Sequence, residues 1–578
     1  MNTAEYLIKQ LEELGVNDFF GLPGDYNFNL LYAVENNPNT HWIGCTNELN
    51  AGYAADGYAR TRGYGAIITT YGVGELSAIN AIAGCMAENV PVVSIVGVPS
   101  TKDIENKTCL HHNFQDVNYK ACYEAHKTIT AAQAFLTRDN AKIEIDRLLR
   151  ILVKEKKPVY IAIPLDIATM EISDKKSTYE WLSDEENLKT ATDKIVSKIN
   201  NSQKPVILGD LLIKRFDARI EYKEFVEKTQ IPVTNFLMGT NIINMDYELY
   251  LGGYYGKYKN PEAKKYIDET DCLIAVGAVY TDLNAFGFNL PYKINDHIAI
   301  YGTYTYVEGK RYDNVKMSDI LEAVTKQVKS KNMKISKPTI GYEQKTATSE
   351  ALTSEYIYPR IQEFIKENDI VIAETGIIPQ GIAPIKFPPN VELQTQTLWG
   401  SIGWATPAAL GVCIAKPNAR VILITGEGSH QLTAMEIGNM LRCGVKPIII
   451  LLNNNGYTIE RLLSKTPDDK FNDIMQMNYS KFTRAFEGDI WATKVNTADD
   501  FDKALKVTQI MNKMCYIEIC TAQMDLPEIT KALSANLKKQ SGEMQIIQDK
   551  VSQDTEIFEN DNLSVSYETV VHRGFTED

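Results

Sequence analysis

Residues 421–460 read VILITGEGSHQLTAMEIGNMLRCGVKPIIILLNNNGYTIE. An apolar run, Val421 to Ile424, enters the turn Gly426-Glu427-Gly428-Ser429. A helical pattern extends from Thr433 to about Arg442, and a second apolar run, Pro447 to Leu452, ends in Asn453-Asn454-Asn455-Gly456. The pattern predicts a βαβ unit with a carboxylate at the end of one strand and a carboxamide at the end of the next. In parallel α/β sheets, ligands gather in the crevice outside the carboxyl ends of the strands. Glycines there admit phosphate oxygens to the backbone, and the N-terminus of the following helix favours negative charge. A carboxylate and an amide oxygen, completed by phosphate and water, suit Mg²⁺. The stretch therefore predicts a metal–diphosphate site.

The rest of the chain sets bounds on that site. A chain of 578 residues exceeds what one core holds, and about three domains are expected. The net charge of −14 argues against a nucleic-acid partner, since no basic excess is available to neutralise phosphates. Nine scattered cysteines without a C-x-x-C pair read as reduced thiols, which points to the cytoplasm. No apolar stretch has the length of a membrane span. Glu5, Glu12 and Glu13 stand where an export signal would carry positive charge.

Alternating strand and helix patterns predict an α/β fold of three doubly wound, mostly parallel-sheet domains. The expected boundaries are 1–185, 190–340 and 350–532, with a C-terminal tail over 533–578. The charged stretch Ser173–Asp193 and the polar stretch Lys326–Ser349 read as linkers. In the first domain, Gly21-Leu22-Pro23-Gly24-Asp25 ends a short strand, and Glu48 opens a helix lined with small residues. Two histidines, His111 and His112, stand side by side. Adjacent histidines are expected to point different ways, so chelation of a metal by the pair is not expected.

G-[DE]-G, a gap of about thirty residues, then N-N resembles the thiamin diphosphate motif. With GYTIE behind it, the chain resembles the pyruvate and indolepyruvate decarboxylase group over roughly residues 3–530. The resemblance implies pyrimidine-binding, middle and diphosphate-binding domains in chain order. It implies Mg²⁺ held by Glu427, Asn454 and the main-chain carbonyl of Gly456, with glutamate at 427 where the family usually has aspartate. It also implies cofactor contacts from Glu48, Thr375, Gly400, Ser401, Ile402, Gly428, Ser429, Asn454, Gly456, Tyr457, Thr458 and Ile459. In that scheme Glu48 meets the pyrimidine ring and Ile402 wedges the two rings of the cofactor into a V. Glu48, Asp25, His111, His112 and Glu460 are the implied catalytic groups, although Asn113-Phe114-Gln115-Asp116 departs from the family's Thr-Leu-Gly-Asp.

The implied reaction is non-oxidative decarboxylation of a 2-oxo acid to an aldehyde and CO₂ through a cofactor ylide and enamine. The substrate is pyruvate or a larger or aromatic 2-oxo acid such as indolepyruvate or phenylpyruvate. Phe286, Pro379, Ile459 and Leu463 are the expected pocket residues. The resemblance further implies a homodimer or homotetramer with active sites between chains. Leu211-Leu212 replaces cysteines linked to substrate activation in some relatives, so hyperbolic kinetics are expected. Two other readings share the cofactor. One is an acetolactate synthase-type carboligase, disfavoured by the histidine pair and the GYTIE glutamate; the other is a binding protein that has lost turnover.

Overall fold

The computed structural model describes residues 1–175 and 177–535. All but three residues of the expected tail therefore lie outside the described residues. Three sheets follow one another along the chain. The first orders its strands His41–Gly44, Asp18–Gly21, Gly65–Thr70, Val92–Val98, Val159–Pro164, Ala132–Phe135, all parallel. The third has the order Glu392–Thr395, Ile370–Ala373, Val421–Gly426, Ile448–Asn453, Met514–Cys520, Ile490–Val495, again all parallel. In the middle sheet a five-stranded parallel stretch is extended by the antiparallel strands Tyr304–Val307 and Lys310–Asp313.

The inner strands are apolar on both faces because helices cover both faces of such a sheet. Val92–Val98, Ile370–Ala373 and Ile448–Asn453 are buried at every position. The stretch expected as a first linker holds a helix from Glu185 to Asn201. Asp184 caps it through the Asn187 N–H, and Ala191, Ile195 and Ile199 bury a stripe against the middle domain. Charge on its outer face had masked that stripe. The helix expected from Thr433 begins at Glu436 and runs to Arg442, and the turn expected at Gly426–Ser429 leads into a further short helix, Glu427–Gln431.

The first and third domains meet through the helices Glu48–Arg62 and Ala405–Ala415, whose small residues let the backbones touch. A Cβ on Gly411 would lie 1.8 Å from the Ala54 carbonyl oxygen, and one on Gly57 would lie 2.3 Å from that of Ala408. Beneath this crossing Arg60 pairs with Asp56 and, at 2.8 Å, with Glu88, while the Trp404 indole donates to Asp56 at 3.0 Å. Each buried charge there has an opposite neighbour, which such burial requires.

Candidate active site

Strand Val421–Gly426 delivers Glu427 to a cavity of about 280 Å³ at the carboxyl edge of the third sheet. Glu427 is 1% exposed and accepts the Gly456 N–H at 2.8 Å. Burial pushes its carboxyl up to about 7, against the pull of the backbone N–H groups of Gly456 and its neighbours. Asn453 is spent on Glu518 at 3.0 Å, which leaves Asn454 to face the cavity. Gly456 has φ +126°, and a Cβ there would lie 2.6 Å from the Asn472 carbonyl oxygen, so only glycine fits. Thr375, Ile402, Glu427, Gly428, Ser429, Asn454, Gly456, Tyr457, Thr458, Ile459 and Glu460 all line the cavity.

Gly400 and Ser401 do not line it. The Ser401 hydroxyl is 2.7 Å from the Tyr53 hydroxyl and accepts from Asn80 at 3.0 Å, so its side chain is tied to the first domain. Behind the loop lies Glu374, fully buried. Its Oε1 accepts the Thr375 N–H at 3.0 Å, and its Oε2 accepts the N–H groups of Gly403 and Ala405 at 3.2 Å. Burial pushes this carboxyl up to about 7 as well. Thr433 donates to the Gly403 carbonyl at 2.8 Å. Ile402, 37% exposed at the cavity mouth, thus projects from a loop whose backbone is fixed on both sides.

A second cluster occupies the carboxyl edge of the first sheet. Asp25 Oδ2 lies 3.1 Å from His111 Nε2, and the Tyr26 hydroxyl lies 3.4 Å from His111 Nδ1. His111 and His112 do not diverge as expected; their ring centroids are 4.4 Å apart. The reason is backbone conformation. His112 has φ +69°, which breaks the alternation of an extended chain and turns both rings to one side. Two contacts hold it there: the Tyr71 hydroxyl donates to the His111 carbonyl, and Gly72 packs so closely that a Cβ would lie 2.2 Å from the His112 carbonyl oxygen. Glu48 opens its helix behind the N-cap Asn47, and its Oε1 lies 3.2 Å from where a Cβ on Gly74 would sit. None of Asp25, Glu48, His111 and His112 lines the third-domain cavity of the same chain.

Family models agree with this division. The N-terminal TPP binding domain of thiamine pyrophosphate enzymes matches residues 1–122, the central domain 192–318 and the C-terminal TPP binding domain 380–519. Pyruvate decarboxylase isozyme 2 of Saccharomyces cerevisiae is 35% identical over 542 residues, which cover 91% of this chain and 96% of that protein. Pyruvate decarboxylase of Kluyveromyces lactis is 35% identical over 556 residues, covering 93% and 97%. The chain belongs to the thiamine pyrophosphate-dependent 2-oxo-acid decarboxylase family.

The residues of this decarboxylase-family chain fit the cofactor. Glu427 is a buried carboxylate whose hydrogen-bond donors are backbone amides, so a cation beside it would supply the missing charge. The glycines at 428 and 456 keep the floor of the cavity at backbone level.

Three expected pocket residues fall elsewhere in the single chain. Phe286 is 1% exposed in the middle domain and stacks edge-on against Tyr255, whose hydroxyl donates to the Ala383 carbonyl at 2.6 Å. It does not line the cavity. Pro379 is buried in the short helix Ile378–Ile382, and Ile377 and Ile378 face the cavity in its place. Leu463 is 51% exposed and outside the cavity. Sequence reasoning passed over Glu374, whose signal is an acid closing the apolar strand Ile370–Ala373. His430 was missed too: it is fully buried, Nδ1 lies 2.9 Å from the Thr406 hydroxyl, and burial pushes its imidazole down to about 4.

Proposed function

We propose that this enzyme decarboxylates a 2-oxo acid to an aldehyde and CO₂ without oxidation, taking pyruvate and larger or aromatic homologues. Glu427, Asn454 and the Gly456 carbonyl would hold Mg²⁺ and, with it, thiamine diphosphate. Bound there, the cofactor supplies the electron sink that lets the carboxylate leave. One observation carries the reading: the cavity joins a buried, uncompensated carboxylate, Glu427, to an exposed one, Glu460, across a floor of glycine.

The chain's own groups divide the remaining work. Ile402 shapes the cofactor's path, and Glu374 fixes the loop that bears it. Glu48 would meet the bound pyrimidine through its carboxyl. His111 Nε2, with Asp25 beside it, and His112 hold or release protons where the product leaves. Ile378, Leu452 and Ile459 make the wall apolar, which favours loss of a carboxylate whose charge disperses.

Absence of the first-domain acids from the cavity of their own chain supports active sites formed between two chains, in a homodimer or a homotetramer. The expected domain limits of 1–185, 190–340 and 350–532 remain part of this reading. Nine free cysteines support a reducing, cytoplasmic setting. No helix among the described residues is long and apolar enough to cross a membrane. Leu211 and Leu212 stand where some relatives carry activating cysteines, so hyperbolic kinetics remain part of this reading.

The test is a panel of 2-oxo acids with purified protein, Mg²⁺ and thiamine diphosphate, with aldehyde read through a coupled reductase. Aldehyde release from pyruvate or an aromatic 2-oxo acid is expected. Acetolactate as the main product would favour the carboligase reading, and cofactor binding without turnover would favour the binding protein.

A further inference from the structure

The first-domain cluster has a geometry that acid–base work alone does not require. Asp25, His111 and His112 each offer one ligand atom, and these atoms all lie within 4.8 Å of one another. Two imidazoles and a carboxylate, with a further position open to solvent, form a donor set that suits zinc and its neighbours rather than magnesium. Ligand atoms around tetrahedral zinc stand about 3.3 Å apart at bond lengths near 2.0 Å. His111 Nε2 and Asp25 Oδ2 already lie 3.1 Å apart, so only His112 has to draw in.

Two further observations favour a ligand set over a chance meeting of side chains. A metal-bound histidine usually keeps its outer ring nitrogen engaged, which fixes the ring. His111 does so, with the Tyr26 hydroxyl 3.4 Å from Nδ1. Convergence of the rings is also built into the backbone, through the left-handed His112 and its packing on Gly72 and Tyr71. Half-exposed Asp25 and His111 side chains leave an ion free to enter.

We propose that Asp25, His111 and His112 form a binding site for a zinc-class transition ion, separate from the diphosphate anchor at Glu427. Coordination needs neither cofactor nor a second chain. Its consequence rests on the proposed function: an ion held there occupies the groups that meet the substrate, so zinc inhibits by competing with the 2-oxo acid.

The first experiment uses full-length protein stripped with EDTA and free of thiamine diphosphate. Titration calorimetry with ZnCl₂ should find a site that is lost in His112→Ala and in Asp25→Asn and kept in Cys109→Ser and His41→Ala. Tyr26→Phe, which removes no ligand, should weaken binding by about tenfold; it serves as the second variant should either ligand variant fail to fold. Cobalt(II) in place of zinc should give visible d–d bands without a thiolate charge-transfer band. Zinc binding unchanged in His112→Ala and Asp25→Asn, no binding by the wild type, or a thiolate band assigned to Cys109 would each overturn the site.

A second experiment measures turnover of the loaded enzyme. Zinc should raise the apparent KM for the 2-oxo acid, leave kcat unchanged, and not be relieved by excess Mg²⁺. Relief by Mg²⁺ would move the inhibition to Glu427 and overturn its assignment to this cluster. A protein that binds zinc as described but decarboxylates nothing would uphold the site and sink the functional reading instead.

Discussion

The two halves of the proposed site are built in opposite ways. The third-domain half stands on strand ends, with Glu427 at 1% exposure and Glu374 sealed behind the loop. The first-domain half stands on turns, with Asp25 and His111 about half exposed and His112 held at φ +69°. Regular elements place a few buried groups with little freedom, which suits holding a charged cofactor. Irregular turns place exposed groups that can exchange protons with substrate and solvent. On the proposed function, holding and proton transfer are thus given to different kinds of backbone.

Variants of the two halves should separate in kind. Glu427→Ala and Glu48→Gln are each expected to lower kcat/KM by roughly 10²–10⁴-fold. Fluorescence titration should show Mg²⁺-dependent cofactor retention lost only in Glu427→Ala. Co-expressing the two variants should restore about a quarter of wild-type activity, because half of the mixed dimers' sites pair two intact halves. No recovery would mean that each site is built within one chain.

Asp25→Asn and His112→Ala should follow, with kcat down about 10²-fold and cofactor affinity unchanged. A parallel loss of cofactor affinity would erase the contrast between the halves.

Glu374 gives a smaller effect with a defined sign. Its carboxyl rises from 4.5 to about 7 on burial in the folded chain. Between those values the folded chain keeps a proton that the unfolded chain has lost, so rising pH favours unfolding. The stability of wild type relative to Glu374→Gln should therefore fall by about 3 kcal/mol from pH 4.5 to above 7 in cofactor-free protein. Denaturant titration at several pH values reads this directly. A flat difference would show that Glu374 is ionised throughout. Gly411→Ala should cost about 1–3 kcal/mol by the same measurement, because its methyl would enter the Ala54 carbonyl.

Substrate preference should shift least. Ile459→Ala, at the cavity wall, is expected to change the kcat/KM ratio between pyruvate and phenylpyruvate by about 1–3 kcal/mol. Phe286→Leu, outside the cavity lining, should change it by less.

That Glu427, Asn454 and Gly456 line one cavity was legible because they follow apolar runs, and a parallel sheet concentrates its ligands at such strand ends. The helix Glu185–Asn201 was harder to read, since its charged face dominates the composition of that stretch. Glu374 carries a local signal, an acid at the end of the apolar strand Ile370–Ala373, but its role is not local. Its three amide partners include Gly403 and Ala405, about thirty residues away.

By itself the sequence determined the three α/β domains, the family and the strand-end residues that face the cavity, because periodicity and short motifs are local properties of a chain. Only the tertiary structure decided that two neighbouring histidines converge, that Phe286 is outside the lining of the cavity, and that the first-domain acids lie outside their own chain's cavity. Those outcomes depend on one left-handed residue and on contacts between segments far apart in sequence, and neither is written in the spacing of residue types.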